Sequence, residues 1–234
     1  SHHRISGNLE MDYFSTFTDI TNQVQTTGSG TYTLSDLDLM PWVPYYFQNR
    51  TNFGGWAIII VYKNSALPLN QLNVYDGLQV IPNQILITLN SLNVIDNQNS
   101  KIGFLAWEGD VDIANGESIF INNNPISNPP LNPVANAFNG TNSFTNASNL
   151  YNMDLDVYDL ENNIQIGDTS ANIRMTSSQD IVMINAIVTK LNSQLPDAVI
   201  AIDRVSTECN SRAVTVHYTV SNFEATAEIP ANIP

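Results

Sequence analysis

The sequence predicts an all-β protein, a β-sandwich or jelly roll, on three observations. Short apolar or alternating runs recur at roughly ten-residue spacing with turn residues between them. Asn supplies about one residue in seven, and Asn favours turns and loops over helix interiors. No 15-residue window carries a 3.6-residue apolar period free of breakers.

The spacing places strands near Thr31–Leu34, Trp56–Tyr62, Gln71–Tyr75, Ile85–Leu89, Lys101–Trp107 and Glu117–Ile121. Others follow near Met153–Tyr158, Ala171–Thr176, Ile181–Val188, Ala198–Val205 and Ala213–Val220. The run Trp56–Tyr62 is apolar throughout, mostly β-branched or aromatic, with a Gly pair before it and Lys63-Asn64 after it. It is too short to span a membrane, which takes about 20 apolar residues. It reads as a strand buried on both faces. Two short helical pieces are expected, over Phe17–Gln25 with Thr18 or Asp19 as cap, and over Asn132–Gly140.

The net charge of −14, from 8 basic and 22 acidic residues, argues against nucleic acid and against an anionic membrane surface. It suits solubility and cation binding. A single cysteine, Cys209, excludes a disulfide within the chain and any Cys-based metal site. The stretch Lys190–Val199, with Pro196 inside it, is the expected boundary. It leaves residues 1–190 as one domain, 191–196 as a linker and 197–234 as the first strands of another. Two or three strands bury no core alone, so this second domain is expected to be truncated.

Catalytic machinery is not evident. His217 alternates within a strand, and Cys209 stands beside Glu208, the reverse of an activating environment. Carboxylates gather in "EGDVDIANGES", where Glu108, Asp110, Asp112 and Glu117 surround a turn able to converge several oxygens. Hard cations such as calcium take six to eight oxygens, so this turn is the candidate metal site, with a solvated hairpin turn as the alternative. In "NMDLDVYDLEN", Asp154 and Asp156 point to one face of a strand and repel unless solvated or bridged by a cation. "MPWVPYYFQNR" gathers Trp42, Tyr45 and Tyr46 in a Pro-bounded loop. Such rings either tuck into the core edge or stack on sugars, offering apolar contact with a polar tip. No cofactor is called for; calcium is the one candidate.

The segments Phe53–Ile81 (FGGWAIIIVYKNSALPLNQLNVYDGLQVI), Lys101–Asn123 (KIGFLAWEGDVDIANGESIFINN) and Asn128–Thr141 (NPPLNPVANAFNGT) carry a further signal. Gly55-Trp56, Leu67-Pro68-Leu69, Tyr75-Asp76-Gly77, Glu108-Gly109-Asp110 and Asn132-Pro133 through Phe138-Asn139 recur in this order in a known domain. The chain, over about residues 10–190, resembles the N-terminal-type β domain of large flavobacterial gliding-motility and cell-surface adhesins, the SprB-like proteins. The tail Cys209–Pro234 resembles the first strands of their immunoglobulin-like repeats. The resemblance implies a jelly-roll-like β-sandwich followed by a truncated immunoglobulin-like domain. It implies a non-enzymatic, extracellular, cell-surface adhesin module, exported by type IX secretion as part of a long repetitive filament serving adhesion and gliding motility. Implied partners are surfaces or polysaccharides, neighbouring domains of the same chain, and secretion or motility machinery. A lectin-like carbohydrate-binding module, calcium-assisted, is the alternative. A glycosidase with paired carboxylates in a cleft is the enzymatic one.

Overall fold

The computed structural model describes residues 2–5, 11–81, 84–193, 198–209, 212–222 and 228–229. The elements run β1 (His2–Ile5), β2 (Met11–Phe14), α1 (Thr21–Thr27), α2 (Val43–Gln48), β3 (Asn70–Ile81), β4 (Gln84–Asn90) and β5 (Asp96–Trp107). They continue with β6 (Ser118–Ile121), β7 (Asn124–Ile126), β8 (Met153–Asp159), β9 (Ser170–Thr176), β10 (Val182–Asn192), β11 (Ala198–Thr207) and β12 (Val214–Asn222). The fold is all-β with several antiparallel sheets. Two four-stranded sheets have the orders β3-β10-β5-β8 and β4-β9-β6-β7, and β1-β2 and β11-β12 form two-stranded ones.

Alternation builds the core. On β9, Ala171, Ile173 and Met175 are buried while Ser170 and Asn172 face solvent. On β5, Ile102, Phe104 and Ala106 point the same way inward. These residues join Leu89, Ile119, Ile121, Phe138, Tyr158, Val182, Ile184 and Ile187 in one apolar cluster fed by both four-stranded sheets. Both pairings of β10 slip between Ile184 and Ala186. A bulge of this kind re-aims the side chains that follow it.

Met183, on the opposite face of β10, belongs to a second cluster with Met11, Tyr13 and Val80. Tyr13 stacks on Phe53 at 5.2 Å, and Phe53 stacks on Trp107 at 5.9 Å. Met11, Tyr13, Tyr46 and Phe53 thus pack on the outer face of the β10 sheet.

Polar side chains close the loops. Gln71 and Asn73 both donate to the Ser91 carbonyl, and the Tyr75 hydroxyl donates to Asn90 O at 2.7 Å. Asn122 donates to Asn163 O, and Asn163 to the carbonyls of Ile121 and Asn124. The Asn-rich composition has a structural use here, since side-chain amides satisfy loop backbone that no ladder reaches.

The segment Trp56–Tyr62 is not a buried strand. It has no regular structure, and Trp56 and Ile58–Tyr62 are exposed. Gly54 lies against Leu39 and Gly55 against the Trp107 ring, so the chain is anchored there and leaves the aromatic stack. Beyond that point it has no ladder partner among the described residues. β-Propensity measures packing against neighbouring strands, and without them it does not make a strand. Thr31–Leu34 likewise pairs with no strand among the described residues and is mostly exposed.

Asn132–Gly140 forms turns instead of a helix. Phe138 is drawn into the core, and the Asn132, Asn136 and Asn139 side chains make hydrogen bonds of their own to surrounding groups. Helix α1 begins four residues later than expected and ends two later, and its N-cap position is held by Ile20 rather than Thr18 or Asp19; Asp19 Oδ1, just outside the helix, accepts from Thr21 N–H at 2.8 Å. The aromatic loop contains α2, with Pro44 in its first turn. Strand β10 continues to Asn192, and Leu191 is fully buried, so the sheet runs into the stretch read as linker. Residues 194–197 of that stretch lie outside the described residues. All of β11 and β12 is exposed. Among the described residues no helix is long and apolar enough to cross a membrane.

Candidate functional site

Strand β5 ends at Trp107, and the chain turns at once. Glu108 takes a left-handed φ of 71° and donates its N–H to Asn152 O at 2.8 Å. Its side chain is buried. The turn that follows, closed by Ile113 N–H donating to Asp110 O at 3.2 Å, returns the chain to Glu117. Glu117 is fixed on both sides by the 132–140 loop: its N–H donates to Ala135 O, and its carbonyl accepts from Ala137 N–H at 2.8 Å. Glu117 is 0% exposed, and among the described residues neither carboxylate oxygen has a hydrogen bond of good geometry, the Ser177 hydroxyl being its neutral neighbour.

Asp154 and Asp156 arrive from β8. They pair with Ala106 and Phe104 of β5, so they point inward with the core residues. The free edge of β8 is covered by the 141–143 segment, where Leu155 N–H donates to Thr141 O at 2.9 Å and Ser143 N–H to Leu155 O at 3.2 Å. Asp154 Oδ1 accepts from the N–H groups of Asn139 and Thr141 at 2.9 and 3.1 Å. Asp156 Oδ2 accepts from Asn132 Nδ2 at 3.0 Å and from Thr141 Oγ1 at 2.7 Å. The second oxygen of each carboxylate has no partner.

Asp180 completes the cluster from the loop before β10. Its N–H donates to Ser177 Oγ at 3.0 Å, and its Oδ1 accepts from Ile181 N–H. Its Oδ2 is buried and unpartnered. The Ser178 N–H donates to Asn115 O, which ties this loop to the Glu108–Glu117 turn.

Burial decides the electrostatics. It pushes Glu117 up to about 9, with Asp180, Asp154 and Asp110 adding like-charge repulsion. It raises Asp154 to about 7 against the N–H donors of Thr141 and Asn139, which lower it. Glu108 is driven far above the carboxylate range by burial and by the neighbouring Asp180. Asp180 and Asp156 are raised too, burial again being the largest cause.

The structure therefore joins two sequence clusters that are 37 or more residues apart. Of the predicted metal ligands, Glu108 and Glu117 lie inside. Asp110 stands exposed at the rim, where its charge raises both. Asp112 is exposed. Asp154 belongs to the same site, and Asp180 and Asn136 escaped the sequence reading. "SSQD" reads as a plain turn, and Asn136 is one Asn among many. Among the described residues no three His, Cys, Asp or Glu side chains form a metal-holding group by themselves.

The aromatic candidates divide. The half-buried Tyr46 packs edge-on to Tyr13 at 5.7 Å, and its hydroxyl donates to Asp12 O and accepts from Asp12 N–H. Tyr45 is exposed and edge-on to Tyr46. Trp42 is 63% exposed. A groove of about 480 Å³ on the β4-β9-β6 face is lined by Gln84, Phe120, Arg174 and Thr176 and reaches Gly116, Ser118, Ser177 and Ser178, next to Glu117 and the Asp180 loop, with the Arg174 guanidinium 3.6 Å from the Phe120 ring centre. His217 pairs with Arg204 on the exposed hairpin, and Cys209 is a free, exposed thiol.

No family model matches the chain, no curated protein matches it, and no solved structure matches it. The site's chemistry thus rests on its geometry.

Proposed function

We propose that the chain is a non-enzymatic, extracellular adhesin module: a jelly-roll-like β-sandwich with β11-β12 as the opening strands of an immunoglobulin-like repeat. One observation carries this. Two of the motifs behind the adhesin resemblance, Glu108-Gly109-Asp110 and Asn132 through Asn139, are distant in sequence but are packed against each other. A Cβ on Gly109 would meet the Phe138 carbonyl carbon at 2.6 Å. The motifs thus have a joint architectural reason to occur together, one that suits a domain kept for its rigidity. Dense ladders hold such a domain stiff under load, and its loops offer the contacts. The exposed apolar residues Ile200, Ile202, Val216 and Tyr218 of the hairpin fit a sheet face meant for further strands.

The test uses the purified chain on beads presented to glass, to hydrophobic surfaces and to a panel of polysaccharides. The adhesin reading expects retention on at least one surface class and no release of reducing sugar from any polysaccharide. Sugar release, or absence of retention everywhere, contradicts it.

The lectin-like reading is favoured by the exposure of Trp42 and Tyr45 beside each other on and before α2. Glycan binding lost in Trp42→Ala and Tyr45→Ala variants supports it; binding unchanged in both removes these rings from the site.

A further inference from the structure

We propose that the end of the shared core where Glu117, Asp154 and Asn136 meet binds one hard divalent cation of the calcium type. The inference stands apart from the adhesive role. Four segments converge there: the Glu108–Glu117 turn, the 132–141 loop, the start of β8 and the loop before β10. Glu117 forms an isolated bridge with Asn136, and Asp154 Oδ2 lies against Gly109, where a Cβ would stand 2.5 Å from it.

The oxygens are what single this place out. Glu117 Oε1 and Oε2, Asp154 Oδ2 and Asn136 Oδ1 are all buried, and among the described residues none has a hydrogen bond of good geometry; the neutral Ser177 hydroxyl near Glu117 and the Gly140 N–H near Asp154 only partly offset the burial. A buried carboxylate with no donor for either oxygen is costly, and native interiors rarely leave one so. Among the described residues no basic side chain offers a donor to them. In principle a fully buried carboxylate is relieved by a proton, by a cationic side chain or by a metal ion. Here four bare oxygens come from three side chains. Only two of those are carboxylates, so the cluster does not make a three-acid metal group. Calcium accepts such a mixed set, because amide and backbone carbonyl oxygens and water complete its shell of six to eight. Oxygen-only donors favour calcium or magnesium over zinc and copper. Glu108 and Asp180 lie beside this set, and Asp180 strengthens the hold of Glu108 and of Glu117 on a proton.

The test is a titration of the purified chain, first treated with chelator, with terbium, reading luminescence sensitised by nearby Trp107, followed by displacement with calcium. Saturable luminescence that calcium reverses is expected, together with a rise in Tm of about 5 °C or more at saturating calcium. Glu117→Gln is expected to weaken binding ~10-fold or more, while Asp112→Asn, at an exposed position, leaves it unchanged. Asp154→Asn serves if Glu117→Gln does not fold. Absence of sensitised luminescence with an unchanged Tm overturns the proposal. So does binding that survives Glu117→Gln or Asp154→Asn intact, or that is lost in Asp112→Asn.

Discussion

Gly109 lies so close to Asp154 that a methyl group on Gly109 would stand 2.5 Å from Asp154 Oδ2. The same methyl would stand 2.7 Å from the Phe138 carbonyl oxygen. Neither the backbone nor a carboxylate tied by two N–H donors can retreat cheaply. Gly109→Ala is therefore expected to destabilise the chain by about 1–3 kcal/mol through overpacking. A lowered urea midpoint at unchanged m-value checks it. An unchanged midpoint shows that the 108–110 turn moves freely.

Thr141 is the hub of the polar network under β8. Its hydroxyl accepts from Asn132 Nδ2 at 2.7 Å and lies 2.7 Å from Asp156 Oδ2, to which it donates. Thr141→Val keeps the shape and strips both bonds, leaving buried polar groups unsatisfied. A loss of about 1–3 kcal/mol follows. Equilibrium unfolding reads this directly, and a neutral substitution would mean that water enters the network.

The acidic cluster sets a pH dependence for the chain held in chelator. Glu117 and Asp154 sit at about 9 and about 7, and Glu108, Asp156 and Asp180 are also raised. Unfolded carboxylates titrate near 4. The folded state thus holds more protons than the unfolded state above that value, and stability falls as pH rises. The contribution of these groups is complete below about pH 4 and is lost progressively through 7 and 9. The charges facing one another are Glu117 with Asp180, Asp154 and Asp110, Glu108 with Asp180, and Asp154 with Asp156. Urea midpoints between pH 5 and pH 9 are expected to decline. A flat or rising profile contradicts the burial of the cluster.

The aromatic residues of α2 and its approach separate by role. Tyr46→Ala removes a ring wedged on Tyr13 and a hydroxyl bonded to the Asp12 backbone, and is expected to cost about 2–4 kcal/mol. Trp42→Ala, at an exposed ring, stays within about 0.5 kcal/mol of the parent. Thermal melts of the two variants check the contrast, and equal shifts would place both rings in the same environment.

How far the sequence foretold this structure depends on whether a signal was local. The alternation in Ala171–Thr176 and Met153–Tyr158 named its own strands and faces, because side-chain direction follows from period 2 alone. The inward placement of Asp154 and Asp156 on one face was legible; their burial was not, since it depends on the 132–141 loop closing over them. The run Ala57–Tyr62 misled for the complementary reason. Its composition is that of a strand, but pairing is a property of neighbours and not of the run. Strand β7 escaped because Asn124-Pro125-Ile126 is too short to show a period. Glu108 and Glu117 were found from a single turn, whereas Asp180 could be added only by the fold, which brings it from over sixty residues away.

The most direct measurement is an electron-density map of the chain crystallised with millimolar calcium and again with chelator. The account predicts one ion bound to Glu117 and Asp154 oxygens at about 2.3–2.6 Å in the first crystal, lost in the second. Two identical maps, with Glu117 and Asp154 capped by protons or by water alone, would contradict it.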